Sequence, residues 1–167
     1  MVFIPNDPDL VKKDPSVKYL FKQFKIKSEV IFICYQEEVR GSIVKILQYS
    51  LKIREIKKLL SKTSILYFFK PDVLEAVKKH VTIDREVVEE QLVPADKMED
   101  RLEIPDDILQ KCFNEKTAIT ITMRNGHVLK GKIHSFGIFS IRLQIDQRNR
   151  VIIFRHAIYD LAYRKTT

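Results

Sequence analysis

The stretch AITITMRNGHVLKGKIHSF, residues 118–136, decides the fold. Its first six residues alternate with period two. Ile119, Ile121 and Met123 therefore share one face, which predicts a strand with a single buried side. Arg124-Asn125-Gly126-His127 follows as a hairpin signal, because Asn-Gly accepts the positive φ of a type I′ turn. Val128 to Phe136 resumes as a second strand, and the isolated Gly131 predicts a bend in it. Downstream, residues 139–145 alternate again, Asp146-Gln147-Arg148-Asn149 reads as a turn, residues 150–155 as a strand, and residues 156–161 as a short closing strand. Upstream, Pro105-Asp106-Asp107 opens a helix whose apolar stripe is Ile108, Leu109, Cys112 and Phe113. One helix followed by five short, bent, antiparallel strands is the pattern of a small barrel.

The same order occurs earlier in the chain. Pro15-Ser16 opens a helix carrying Tyr19, Leu20, Gln23 and Phe24. Val30, Phe32 and Cys34 alternate on a strand, and Gln36-Glu37-Glu38 makes the turn. Val39-Arg40-Gly41-Ser42-Ile43 matches Leu129-Lys130-Gly131-Lys132-Ile133, and Tyr49-Ser50-Leu51-Lys52-Ile53 matches Phe139-Ser140-Ile141-Arg142-Leu143. Leu66 to Lys70 is set against Val151 to Arg155, with a longer loop at 55–64. This reads as an internal duplication. The expected fold class is therefore mainly β with short helices: two tandem small bent β-barrels joined by a helical acidic connector. The boundaries are 1–71, 72–104 and 105–167. All six prolines lie outside residues 16–70 and 106–167, which brackets two compact blocks.

Charge follows the same division. Of 167 residues, 30 are Lys or Arg and 22 Asp or Glu, a net +8. Residues 1–70 carry +7, residues 71–104 carry −5, and residues 105–167 carry +6. Two basic blocks flanking an acidic connector suit a polyanionic partner, since neutralising phosphates releases condensed counterions. The connector, with apolar stripes Val73, Leu74, Val77 and Val87, Val88, Leu92, would hold one or two helices and either mask a basic face or dock on a neighbouring chain. The two cysteines show no pairing pattern, and Cys34 and Cys112 fall on apolar faces as core residues. No apolar run reaches the roughly 18–20 residues of a membrane span. The opening residues 1–14 do not read as a signal peptide, so a cytoplasmic location is expected.

The second block resembles the bacterial Sm-like RNA chaperone family Hfq. Ile108 to Gly126 resembles its helix and first strand, and residues 125–139 look like its Sm1 segment. Val151-Ile152-Ile153-Phe154-Arg155-His156-Ala157-Ile158 looks like its Sm2 signature, aromatic-Lys-His-Ala-Ile. The first block looks like a diverged Sm-like repeat, in which Lys70-Pro71-Asp72-Val73 is expected to replace the signature.

The resemblance implies a ring in which the fourth strand of one unit pairs with the fifth of the next. Family rings have six units, so two units per chain imply a trimer forming a pseudo-hexamer; a six-chain ring built by the second block alone is the alternative. It also implies single-stranded RNA, U-rich or A-rich, as partner, and no cofactor. Phe139 would stack on a base, Arg155 and His156 would contact phosphate and base beside Phe154, and Asn125, Gly126 and Leu129 would serve the opposite face. Gly137-Ile138 and Pro105 stand where the family has amide contacts, and Thr122 replaces a tyrosine. Lys22, Lys25 and Lys27 would form a rim patch. The remaining histidines, His80, His127 and His134, show no metal-ligand spacing. No nucleophile–base pattern or phosphate-cradling glycine loop points to an enzyme. The rival reading is an Sm-like scaffold that has lost RNA binding and organises proteins.

Overall fold

The computed structural model describes residues 8–164, so the first half of the 1–14 stretch lies outside the described residues. The elements run α1 (Pro8–Lys13), α2 (Pro15–Ile26), β1 (Glu29–Cys34), β2 (Glu38–Ile46), β3 (Ser50–Ile53), β4 (Leu60–Ser61) and β5 (Ile65–Phe69). The connector adds α3 (Leu74–His80), β6 (Thr82–Ile83) and α4 (Arg85–Glu89). Then come α5 (Asp106–Asn114), β7 (Ala118–Met123), β8 (His127–Phe136), β9 (Ser140–Gln144), β10 (Arg150–Phe154) and β11 (Ile158–Tyr163). This is a mainly antiparallel sheet structure with short helices, as expected of an Sm-like fold. No helix among the described residues is long and apolar enough to cross a membrane.

All the strands belong to one sheet, in the order β11-β7-β8-β9-β10-β5-β1-β2-β3-β4, with β6 added beside β8. Each block contributes its strands in the spatial order fifth, first, second, third, fourth. The blocks meet where β10, the fourth strand of the second, pairs antiparallel with β5, the fifth strand of the first, through Ile152↔Phe68 and Ile153↔Tyr67. The core is continuous across this junction. Phe68 is fully buried, with its ring centroid 5.6 Å from Tyr19, 5.7 Å from Phe32 and 5.3 Å from Phe154.

Local chemistry fixes the helices. Asp14 is the N-cap of α2, its carboxylate accepting from the Ser16 N–H at 2.9 Å, and Pro15 occupies the first turn, where a missing N–H does no harm. Lys27 ends α2 in the left-handed conformation at φ 55°. In the strands, Gly131 is required by close approach, since a Cβ there would sit 2.2 Å from the Gln144 carbonyl oxygen. Gly126, at φ 91°, makes the β7–β8 turn that the sequence signals.

The topology corrects one part of the repeat alignment. Ile65–Phe69 does not match the fourth strand of the second block: it pairs with β1 as β11 pairs with β7. The expected loop at 55–64 contains the short fourth strand β4 and a 3-10 turn, Lys62–Ser64, that stands where the 3-10 turn Arg155–Ala157 stands in the second block. The counterpart of Arg155 is thus Lys62, not Lys70. Backbone hydrogen bonds agree. Lys62 N–H donates to the Tyr49 carbonyl at 2.9 Å, as Arg155 N–H does to Phe139 at 2.8 Å. Leu47 N–H donates to Ser50, as Gly137 does to Ser140, both at 2.9 Å. β2 and β8 also shift register at matching places, between Ile43 and Lys45 and between Ile133 and Ser135.

Candidate nucleic-acid interface

Two aromatic–basic pairs stand at the strand turns. In the second block, Phe139 is 38% exposed, a ring available for stacking. Its loop is fixed from two sides. The Asp14 carboxylate, fully buried, accepts from Phe139 N–H at 2.8 Å, Ser140 N–H at 3.1 Å and the Ser140 hydroxyl at 2.8 Å. Arg155 holds the other side. Its guanidinium donates to the Gly137 carbonyl at 2.9 Å, the Ile104 carbonyl at 2.7 Å and the Asp106 carboxylate at 2.9 Å. A guanidinium with a planar fork suits such a three-acceptor clasp. Arg155 is thereby committed within the chain, with Asp106 as its ion-pair partner. In the first block, Tyr49 is 68% exposed. Lys62, bound to it through the backbone, donates its ammonium to the Gln48 carbonyl at 3.0 Å, and burial lowers its pKa. This second pair escapes a sequence reading that aligns Lys70 with Arg155; the Tyr49–Phe139 match was the available signal.

His156 stacks on Phe154, with centroids 5.0 Å apart and planes 24° from parallel. Neither ring nitrogen is exposed or makes a well-formed side-chain hydrogen bond. Burial, with Arg101 and Arg124 nearby, pushes its pKa down to about 4, against weaker opposing effects of the Lys62 backbone and Asp96. Its folded value lies below the unfolded value of about 6.5. Stability is therefore complete above that unfolded value and falls as the pH drops from about 6.5 to about 4, by up to about 3 kcal/mol. Urea denaturation across that range should show this slope, and His156→Gln should remove it. A slope unchanged in the variant would contradict the assignment.

Other expected contacts are placed elsewhere. Phe154 is 5% exposed and Leu129 fully buried, so both serve the core and not a ligand surface. Asn125 accepts from His127 N–H within its own turn. Gly126 is covered by the connector: its carbonyl accepts from Asp84 N–H at 2.8 Å, and a Cβ added to it would lie 2.4 Å from Val88. β6 pairs beside it, Thr82↔Val128 and Ile83↔His127. Lys22, Lys25 and Lys27 are exposed on α2 and its C-cap.

The connector continues past this turn. Arg124 donates to the Val93 carbonyl at 2.8 Å and to the Tyr35 hydroxyl at 3.2 Å, and Arg101 donates to the Ala95 carbonyl at 2.9 Å. Ala95 is buried against this surface. The connector thus touches both expected faces of the second block: Gly126 with Asp84 and Val88, and Arg155 with Ile104. Its grip combines the β6–β8 pairing, the Val93 and Ile104 carbonyls accepting from Arg124 and Arg155, and the Tyr159 hydroxyl donating to Glu90 at 2.9 Å. Among the described residues no group of three His, Cys, Asp or Glu side chains could hold a metal.

Comparison with known proteins fits this geometry. The family model described as Hfq protein matches residues 104–166, the α5-to-β11 unit. The RNA-binding protein Hfq of Anoxybacillus flavithermus is 32% identical over 68 residues, which covers 41% of this chain and 90% of that protein. The RNA-binding protein Hfq of a Geobacillus species has the same identity and coverage, and that of Syntrophomonas wolfei is 26% identical over 62 residues, 74% of its length. With nine-tenths of two such relatives spanned at 32% identity, this chain belongs to the Hfq family.

Proposed function

We propose that the protein is a non-enzymatic RNA-binding ring in which each chain supplies two Sm-like units, residues 1–71 and 105–167, and three chains close a pseudo-hexamer. One observation carries the assembly: the β10–β5 pairing joins a fourth strand to a fifth strand inside one chain. That leaves one fifth-strand edge, β11, and one fourth-strand edge, β4, unpaired at the two ends of the sheet. Exposed strand edges are templates for pairing, and head-to-tail pairing of complementary edges closes a ring when the rotation allows. The six-chain alternative would leave the β10–β5 joint without a role.

Single-stranded RNA, U-rich or A-rich, is the proposed ligand; the relatives' names support RNA as its class. Phe139 and Tyr49 are the stacking rings. Arg155 positions Phe139 through the Gly137 carbonyl, and Lys22, Lys25 and Lys27 supply screening-sensitive phosphate contacts. Binding of two strands by one ring would promote annealing without a cofactor. Fluorescence anisotropy with U-rich, A-rich and mixed RNA, and matching DNA, at two salt concentrations tests this. Phe139→Ala and Tyr49→Ala should each weaken binding by about 1–3 kcal/mol per stacked base, with assembly intact.

One observation favours a second reading. The connector occupies Gly126 and Arg155, both expected RNA contacts. If no oligonucleotide binds even at low salt, the protein is an Sm-like scaffold that organises proteins, and the connector has replaced RNA on this surface.

A further inference from the structure

A second feature lies away from the stacking rings, at the junction between α2 of the first block and β8–β9 of the second. A cavity of about 340 Å³ opens there. Its cationic lining includes Lys18, Lys22, Lys70 and Arg142, and among the described residues no Asp or Glu lines it. Deeper in are Gln23, Tyr19 and His134. Gln23 is fully buried, yet neither its amide oxygen nor its amide nitrogen has a hydrogen-bond partner. The buried Tyr19 hydroxyl, His134 Nδ1 and Arg142 Nε also lack partners. Buried polar groups are normally satisfied, because leaving one unpaired costs about 1–3 kcal/mol. Five such atoms, on four residues that line one cavity, point to a ligand with both acceptors and donors.

The placement is built into the fold. The register shift in β8 leaves His134 unpaired between Ile133 and Ser135, and a bulge re-aims a side chain. Asp14 at the start of α2 fastens that helix to Phe139 and Ser140, which fixes the cavity's walls relative to each other. Its own carboxylate is spent on that clasp and does not line the cavity. Burial, and then Arg150, oppose the charged forms of His134 and Arg142, and Asp72 is the carboxylate near enough to act on Tyr19.

We propose that this cavity binds a nucleotide phosphate, with Arg142, Lys22 and Lys70 holding the phosphate and the Gln23 amide and Tyr19 hydroxyl hydrogen-bonding the group that carries it. Guanidinium and ammonium groups supply the donors a phosphate needs, and an amide with one donor and one acceptor face suits a base or ribose edge. The ligand is a free nucleotide or the phosphorylated end of an RNA strand. The proposal does not depend on the stacking rings, so it can stand or fall separately from RNA binding there.

Calorimetric titration of the full chain tests it, in physiological chloride, with inorganic phosphate, adenosine and uridine 5′-monophosphates, and short RNA with a 5′-phosphate or a 5′-hydroxyl. Saturable binding is expected, tighter for nucleotides than for inorganic phosphate. A preference for 5′-phosphorylated RNA over both free nucleotides identifies the strand end as the source; the reverse identifies the free nucleotide. Arg142→Gln should weaken binding about tenfold. Gln23→Leu gives an independent check. Removing an unpaired buried amide should raise the melting temperature of the free protein, while abolishing the preference for nucleotide over phosphate. Absence of saturable binding, equal affinity for phosphate and nucleotides, or binding unaffected by both variants would overturn the proposal. Phe139→Ala should leave the binding of inorganic phosphate unchanged while weakening that of RNA, which separates the cavity from the stacking surface.

Discussion

Asp14→Ala should destabilise the fold by about 3–5 kcal/mol, one of the two largest effects of a single substitution in this chain. The carboxylate has no exposed surface and gathers five donors: the Ser16 N–H and hydroxyl, the Phe139 and Ser140 N–H groups, and the Ser140 hydroxyl. Alanine would strand these donors in a buried site and remove the N-cap of α2. A hydrogen bond to a charged group is worth roughly 1.5–3 kcal/mol, so even partial rearrangement leaves a large deficit. Asp14→Asn keeps one acceptor oxygen and should lose about half as much. The two donors from β9 belong to the other block, so the damage extends to the junction and to the loop carrying Phe139. Urea denaturation measures the change; a loss below about 1 kcal/mol would mean that the clasp contributes little.

Phe68→Ala should cost about 3–5 kcal/mol, the range for truncating a buried aromatic ring. Phe68 sits on β5 opposite Ile152 of β10 and touches Tyr19, Phe32 and Phe154. The cavity would open in the core shared by both blocks, so the blocks should still unfold together in a single transition at lower urea. Two separate transitions in the variant, one at the position of the unsubstituted protein, would show that the blocks are independent and that the β10–β5 joint does not couple them.

Much of the second block can be read from residues alone. Ile119, Ile121 and Met123 are all buried on one face of β7, as their alternation requires. Asn125-Gly126 makes the turn, and Gly131 lies where a side chain would collide with β9. In the first block the same reading slipped at its end. Leu66, Tyr67, Phe68 and Phe69 form a continuous apolar run like Val151 to Phe154, and both runs are buried on both faces. Periodicity cannot distinguish a fourth strand from a fifth when neither alternates. The true fourth strand has only two residues, Leu60 and Ser61.

The candidate site was legible only in part. Phe139 was identified as an aromatic at the right place, and it is exposed. Arg155 was identified by type, but its partners Asp106, Gly137 and Ile104 lie up to 51 positions away or are carbonyls, which no spacing rule reveals. Leu129 and Phe154 look accessible in a linear motif, yet the strand pleat turns both inward. The buried polar cluster around Gln23 is invisible in sequence because it forms only where two blocks meet.

The central claim is that the joint within the chain is repeated between chains. Native mass spectrometry of the full-length protein tests it most directly. A particle of three chains is expected. A stable monomer would contradict it, because β11 and β4 would then remain unpaired; a particle of six chains would show that the second block alone builds the ring.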